Sequence, residues 1–315
     1  MLKILWRNGA CHEEIAGLQD DRFHFIVESD QEKALTHLDD IEVLADGNPS
    51  EVSLDAPKLR HVLIPWAGIP PRLREMMLKR PHLSLHNSHY NAPFVAQHTL
   101  ALLLACTNRI CEASYQLHQG IWLAWQEKSL YLNGKTALLL GYGAIARALE
   151  PSLKALGLHI TCLRSQADDK SYGLADLAKA LSQADVILCT LPETPSTLGI
   201  INAEMLAVMK PGAIFINVGR AKVTEPWALY EALRVGRLSA AGLDVWWHYP
   251  KAGQRDNLTY PADPPFHELA NVIMSPHRAS SVDAEEAVRF QDVLKTLISL
   301  GEGGNRNQVD LHKGY

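Results

Sequence analysis

Short, nearly unbroken apolar runs recur along the chain, at Leu2–Trp6, Val62–Pro65, Ala137–Leu140, His159–Leu163, Val186–Thr190, Ala213–Val218 and Val272–Ser275. Runs of this length, without polar alternation, fit strands buried on both faces. Stretches with helical signals lie between them. Val95–Ile110 carries a long apolar face, Arg147–Leu156 stops at Gly157, and Glu225–Val235 has Pro226 at a first helical position. A last helix is expected from about Ser281 to Leu300. Strand–helix alternation of this kind predicts α/β architecture with parallel, doubly wound sheets. The segment Lys251–Pro265, rich in Pro, Asp and Gly, reads as a long loop.

Composition changes this picture little. Hydrophobic residues make up 47% of the 315, enough for sizeable cores, and the length suggests two domains. A net charge of -5 argues against a nucleic-acid or anionic-membrane surface. The five cysteines, Cys11, Cys106, Cys111, Cys162 and Cys189, are odd in number, irregularly spaced and without C-x-x-C, so neither a disulfide framework nor a zinc site is expected. The first residues lack the apolar core and cleavage site of a signal peptide, and the strongest apolar run, Thr99–Cys106, is too short to span a bilayer. A reducing cytoplasm is the expected compartment.

The chemistry begins at Thr136–Ala146, where a strand runs into Gly141-Tyr142-Gly143-Ala144-Ile145-Ala146. This is G-x-G-x-x-A. The first glycine permits a tight turn, the second admits a pyrophosphate close to the backbone, and the small Ala146 lets helix lie on strand. The helix start then offers free N–H groups and a positive dipole end to phosphate. A motif that opens only at Gly141 leaves the preceding residues to a fold of their own, and the boundary is placed near Asn91. The second strand ends at Arg164-Ser165, where an NAD-selective site usually carries a carboxylate. A guanidinium suits a ribose 2′-phosphate, so NADP is the preferred cofactor and NAD a possible one. The alternative is a surface arginine that tolerates both.

Five segments in order resemble the D-isomer-specific 2-hydroxyacid dehydrogenases: Asn91–Thr99 (NAPFVAQHT), the Gly141 loop, Ala184–Ile201 followed by Met209–Ala213 and Asn217–Arg220, Gly242–Val245, and Ser275–Ala279 (SPHRA). The resemblance implies a Rossmann dinucleotide-binding domain (92–281) inserted in a flavodoxin-like substrate domain (1–91 plus 282–315), and a homodimer joined through the helix near Val95–Ile110 and its neighbours. It assigns Arg220 to the substrate carboxylate and carbonyl, a fitting use of a fixed cationic fork. His277 becomes the acid–base group, a role imidazole suits because it titrates near neutrality. Asp244 would bond the nicotinamide carboxamide. Leu191, Pro192, Thr197, Val218, Gly219 and Ala279 would line the cofactor cleft with Gly141, Gly143, Ala144, Ile145, Arg164 and Ser165. Trp66, Ala67 and Gly68 would meet the substrate carboxylate through backbone N–H groups, and Asn91 would face the same cleft.

The pattern breaks in one place that matters. The family usually has a glutamate five residues after the L-D-V aspartate, followed by proline; here Tyr249 stands there, before Pro250. A phenol can orient His277 but adds no charge, so His277 is expected to titrate lower than in typical relatives. Gln97 replaces the glutamate of V-A-E-H, and Ala221 follows Arg220 where glycine is common. The expected function is hydride transfer between a nicotinamide cofactor and a small 2-keto or 2-hydroxy acid of glyoxylate/hydroxypyruvate type. The rivals are a nucleotide-sensing binding protein or co-regulator without turnover, and formate-type chemistry. The aromatic residues Trp66, Tyr90, Trp246 and Trp247 hint at a pocket, or equally at core.

Overall fold

A computed structural model describes residues 1–7, 11–122, 128–165, 167–168, 171–251, 253 and 258–313; part of the loop expected at 251–265 therefore lies outside the described residues. The chain divides into two compact units, Met1–Asn91 with Val282–Tyr315, and Ala92–Ser281. Each is α/β and built on a parallel sheet.

The first unit holds β1 (Leu2–Trp6), β2 (Phe23–Val27), β3 (Val43–Ala45), β4 (His61–Leu63) and β5 (Ser84–His86), in spatial order β2-β1-β3-β4-β5. This is the flavodoxin-like order. Alternate strand residues face opposite sides. Leu5, Leu44, Val62 and Leu85 enter one cluster, while Ile4, Trp6, Val43 and Leu63 enter the other. The helix Glu285–Gly301 covers the second cluster with Phe290, Val293 and Leu297. Val309 then donates its amide to Leu85 O at 2.8 Å, beside the edge strand.

The second unit holds β6 (Thr136–Leu140), β7 (His159–Leu163), β8 (Val186–Cys189), β9 (Ala213–Asn217), β10 (Leu238–Leu243) and β11 (Val272–Met274), in order β11-β10-β9-β8-β6-β7. Both faces are buried here too. Ala137, Leu139, Leu188 and Ile216 pack beneath the helices Ala92–Asn108 and Ala144–Ala155, whereas Leu138, Leu140, Ile187 and Phe215 face the other side. Pro226 opens the helix Pro226–Arg234, whose missing N–H costs nothing at that position.

Four strands are absent from the apolar runs singled out above. β3 and β5 have three residues each, and β2 carries a mixed, partly exposed pattern at the sheet edge. β10 is the instructive one. Its sequence, LSAAGL, is small rather than branched because the helix Ala92–Asn108 lies close against it. A Cβ on Gly242 would stand 2.9 Å from Ile216 Cδ1 and 3.0 Å from Leu102 Cβ. Among the described residues no helix is long and apolar enough to cross a membrane. All five cysteines are free, and burial pushes the Cys106 and Cys189 thiols up to about 12, which leaves them protonated and inert.

Candidate active site

The register of the second sheet explains why distant segments meet. Leu140 pairs with Leu163 and Cys189, Cys189 with Asn217, Asn217 with Leu243, and Leu243 with Met274. The carboxyl ends of all six strands thus fall in one row. The loops that leave that row begin at Gly141, Arg164, Thr190, Val218, Asp244 and Ser275, the starts of nearly all the motifs singled out in the sequence. β6 lies between β7 and β8, so the chain's direction of winding reverses there, where α/β sheets open a ligand crevice.

At that point Gly141 adopts φ +89°, which a side chain would resist, and Gly143 caps the helix Ala144–Ala155 with open space where a Cβ would be. No side chain caps that helix, so the N–H groups following Gly143 are available to an anion. The residues present fit a dinucleotide pyrophosphate. Arg164, just after β7, donates to Asp168 at 2.6 Å, with its guanidinium 5.8 Å from the Tyr142 ring centroid; Ser165 beside it is exposed. Thr197 is buried and ties its own loop together, accepting from Thr194 N and donating to Pro192 O at 2.6 Å. It shapes the loop after Leu191. Gly219 is pressed against that loop, since a Cβ there would stand 2.6 Å from Leu191 O. Val218 is buried behind it.

Arg220 follows. Asn217 fixes the turn from which it projects: Asn217 Oδ1 accepts from Gly219 N at 3.1 Å, and Asn217 Nδ2 donates to Arg220 O at 3.2 Å. The guanidinium donates to Gly219 O at 2.8 Å and remains exposed.

His277 sits in a left-handed conformation, φ 54°, at the tip of the Ser275–Ala279 loop. For a residue with a Cβ this costs about 1–2 kcal/mol, so neighbouring bonds must hold it. Asp244, 1% exposed, supplies them. Its Oδ1 accepts from Ser275 Oγ at 2.5 Å and from Arg278 N at 2.9 Å, and its Oδ2 accepts from Ala279 N at 3.1 Å. Trp246 Nε1 adds a bond to Ser275 O at 2.7 Å. The imidazole packs on the ring of Tyr249, with centroids 5.5 Å apart and planes tilted by 50°. The Tyr249 hydroxyl accepts instead from Trp246 N at 3.1 Å. Tyr249 therefore meets His277 with its ring, and among the described residues the imidazole has no hydrogen-bond partner. Loss of hydration around His277 lowers its pKa below the ordinary histidine value; the Asp244 charge opposes this and the Arg220 charge adds to it. Arg220 is close enough to act electrostatically on both His277 and Tyr249.

Trp246 and Trp247 are packing residues. Trp246 is 6% exposed, and Trp247 stacks on Phe266 at 5.7 Å and donates to Thr224 O. Tyr90, in the first unit, is likewise buried, with its hydroxyl bonded to Glu285 and Arg289. In that unit Trp66 O and Ala67 O accept from Ser88 N and Asn87 Nδ2, while the amides of Trp66, Ala67 and Gly68 have no protein acceptor among the described residues. Asn91 is that unit's last residue before the Ala92–Asn108 helix. His98, on that helix, was not singled out as functional by the sequence, yet its Nε2 lies 2.9 Å from Ser275 Oγ and 3.4 Å from Asp244 Oδ1.

Residues 100–279 match the family model for the D-isomer specific 2-hydroxyacid dehydrogenase NAD binding domain. A glyoxylate reductase of Korarchaeum cryptofilum is 30% identical over 84% of this chain and 79% of its own length. A D-3-phosphoglycerate dehydrogenase of Mycobacterium leprae is 32% identical over 75% of this chain but only 44% of its own, so the chain spans less than half of that protein. Among solved structures, the NADPH-dependent glyoxylate/hydroxypyruvate reductase of Sinorhizobium meliloti shares the fold, with a TM-score of 0.76 at 24% identity over 99% of this chain and 98% of that one.

Proposed function

The chain belongs to the D-isomer specific 2-hydroxyacid dehydrogenase family, and we propose that it reduces a small 2-keto acid of glyoxylate or hydroxypyruvate type, with NADPH preferred over NADH. The observation that carries this reading is the pairing of Arg220 with His277 at the strand ends, one cationic fork and one titratable imidazole within electrostatic reach, on the same row as the open helix start at Gly143. The glycine loop, Leu191, Pro192, Val218, Gly219 and Ala279 would hold the dinucleotide. When bound, that cofactor supplies the hydride that the carbonyl carbon accepts. Arg220 polarises the carbonyl and neutralises the carboxylate, while His277 gives its proton to the carbonyl oxygen, leaving a hydroxyl group. In the first unit, the free amides of Trp66, Ala67 and Gly68 are of the kind that suits a carboxylate. Asp244 retains acceptor capacity for an amide of the cofactor besides its bonds to the loop.

The test is a screen of glyoxylate, hydroxypyruvate, pyruvate and phenylpyruvate, following NADPH and NADH consumption. Turnover of at least one acid is expected. Tight cofactor binding with no turnover of any of them would favour a nucleotide sensor instead.

Arg164 is the residue proposed to favour NADPH, and its partnership with Asp168 is one that a 2′-phosphate can replace. Arg164→Ser is expected to raise KM for NADPH by about tenfold, the loss of one charge-assisted contact, and to leave KM for NADH nearly unchanged. An equal effect on both cofactors would remove the basis for the preference.

A homodimer belongs to the same proposal. Ile110, Tyr115, Leu117, Ile121, Trp122 and Tyr131 are all more than half exposed, an apolar set near the helix Ile110–His118 of the kind that marks an interface. Sedimentation equilibrium is expected to give twice the chain mass, and Tyr115→Asp with Leu117→Asp to shift it to the monomer. A monomeric wild-type protein at micromolar concentration would contradict this.

A further inference from the structure

The His98, Ser275 and Asp244 side chains form a chain whose proton positions can be assigned. A carboxylate only accepts, so the 2.5 Å contact is Ser275 O–H donating to Asp244 Oδ1. The hydroxyl has one proton, and that proton is now used. The 2.9 Å contact between His98 Nε2 and Ser275 Oγ must therefore be His98 N–H donating to an oxygen lone pair. The bonds run one way, from His98 through Ser275 to Asp244, and polarise one another in a buried setting. Asp244 passes the constraint on, because its two oxygens also take the amides of Arg278 and Ala279, the two residues that follow the strained His277.

We propose that His98 is a positioning residue for His277: through Ser275 and Asp244, the helix Ala92–Asn108 locks the left-handed loop that presents the imidazole. The role in turnover rests on the reductase reading; the role in holding the loop does not. His98 has two features a mere filler would lack. It is 24% exposed in its side chain rather than fully packed, yet its polar atom is directed at two buried polar groups. It also comes from a different helix than the loop it restrains, so it ties loop to scaffold.

The experiment uses the full-length protein and four variants: His98→Leu, His98→Gln, Ser275→Ala, and His98→Leu with Ser275→Ala. Two quantities are read, kcat with NADPH and a 2-keto acid, and amide hydrogen exchange in the peptide covering residues 275–281. His98→Leu and Ser275→Ala are each expected to lower kcat by about 10- to 100-fold, as misplacement of a reacting group does. Exchange in that peptide should quicken by about tenfold in both, as a locally loosened loop does. The double variant should fall no further than the worse single one, because the residues act in series. His98→Gln, which restores an N–H donor, should recover most of both losses. Ser275→Ala removes one oxygen atom and keeps the proposal testable should His98→Leu fail to fold. Unchanged exchange and kcat in Ser275→Ala, additive losses in the double variant, or a His98→Gln as impaired as His98→Leu would each overturn it. If the wild-type protein turns over no acid at all, the reductase reading has failed, and the exchange data alone decide whether His98 holds the loop.

Discussion

Arg220→Gln is expected to lower kcat/KM for a 2-keto acid by about 10³-fold, the scale on which removal of one preorganised group at developing charge is felt. The residue stands on a turn fixed by Asn217 and is exposed, so glutamine there should neither unfold the chain nor disturb the core. NADPH affinity should stay within about threefold, because the proposed pyrophosphate cradle is built from Gly141 and Gly143 and lies on another loop. Arg220→Lys should recover only part of the loss. A point charge replaces the Coulomb attraction but not the planar two-pronged grip. Binding should be followed by fluorescence titration of NADPH and turnover by steady-state kinetics. A variant that loses cofactor affinity and activity in parallel would reassign Arg220 from substrate to cofactor.

The second large effect concerns His277. His277→Asn should reduce kcat by about 10²- to 10⁴-fold, the usual worth of a positioned acid–base group. The pH dependence carries more information. Reduction needs the imidazolium, and the protonated fraction falls as pH rises through the group's pKa. That pKa is depressed first by loss of hydration and further by Arg220, with Asp244 pulling the other way. The reduction limb should therefore decline at a pH below the ordinary histidine value of about 6.5, whereas oxidation, which needs the neutral ring, should persist to unusually low pH. Tyr249 touches the imidazole and bears no charge there, since burial raises its hydroxyl pKa above the ordinary tyrosine value. Tyr249→Glu would place a carboxylate at the position the family normally fills. It should move the reduction limb upward by about one unit or more, as an adjacent opposite charge does. A profile identical in wild type and Tyr249→Glu would show that residue 249 does not set the titration of His277.

Much of this site was legible in the sequence because its parts are local. A buried parallel strand must be apolar, a pyrophosphate turn must be glycine, and both signals sit within Thr136–Ala146. The replacement of glutamate by Tyr249 was legible too, but not its consequence: that its hydroxyl turns to Trp246 N and only its ring meets His277 depends on how the chain folds after β10. His98 was silent for the same reason. A histidine nearly two turns into an apolar helix reads as a surface or core residue until Ser275, 177 positions away, is seen beside it. β10 hid behind its own packing, since Ala240 and Gly242 answer to the helix Ala92–Asn108 above them and not to strand preference. The aromatic residues Trp246 and Trp247 invited a pocket and proved to be core, because indole satisfies both demands equally well.

The first unit is assembled from two stretches of chain that synthesis separates by the whole of the other. Until the helix Glu285–Gly301 has emerged, Ile4, Trp6, Val43 and Leu63 have only Ile15 and its short helix, His12–Gly17, as helical cover on that face. On the ribosome, the contiguous stretch Ala92–Ser281 can finish folding while the opening β-strands still wait for their last helix. Newly made protein should thus pass through an interval with a greasy sheet face only partly covered, which makes this region the natural client surface for a chaperone.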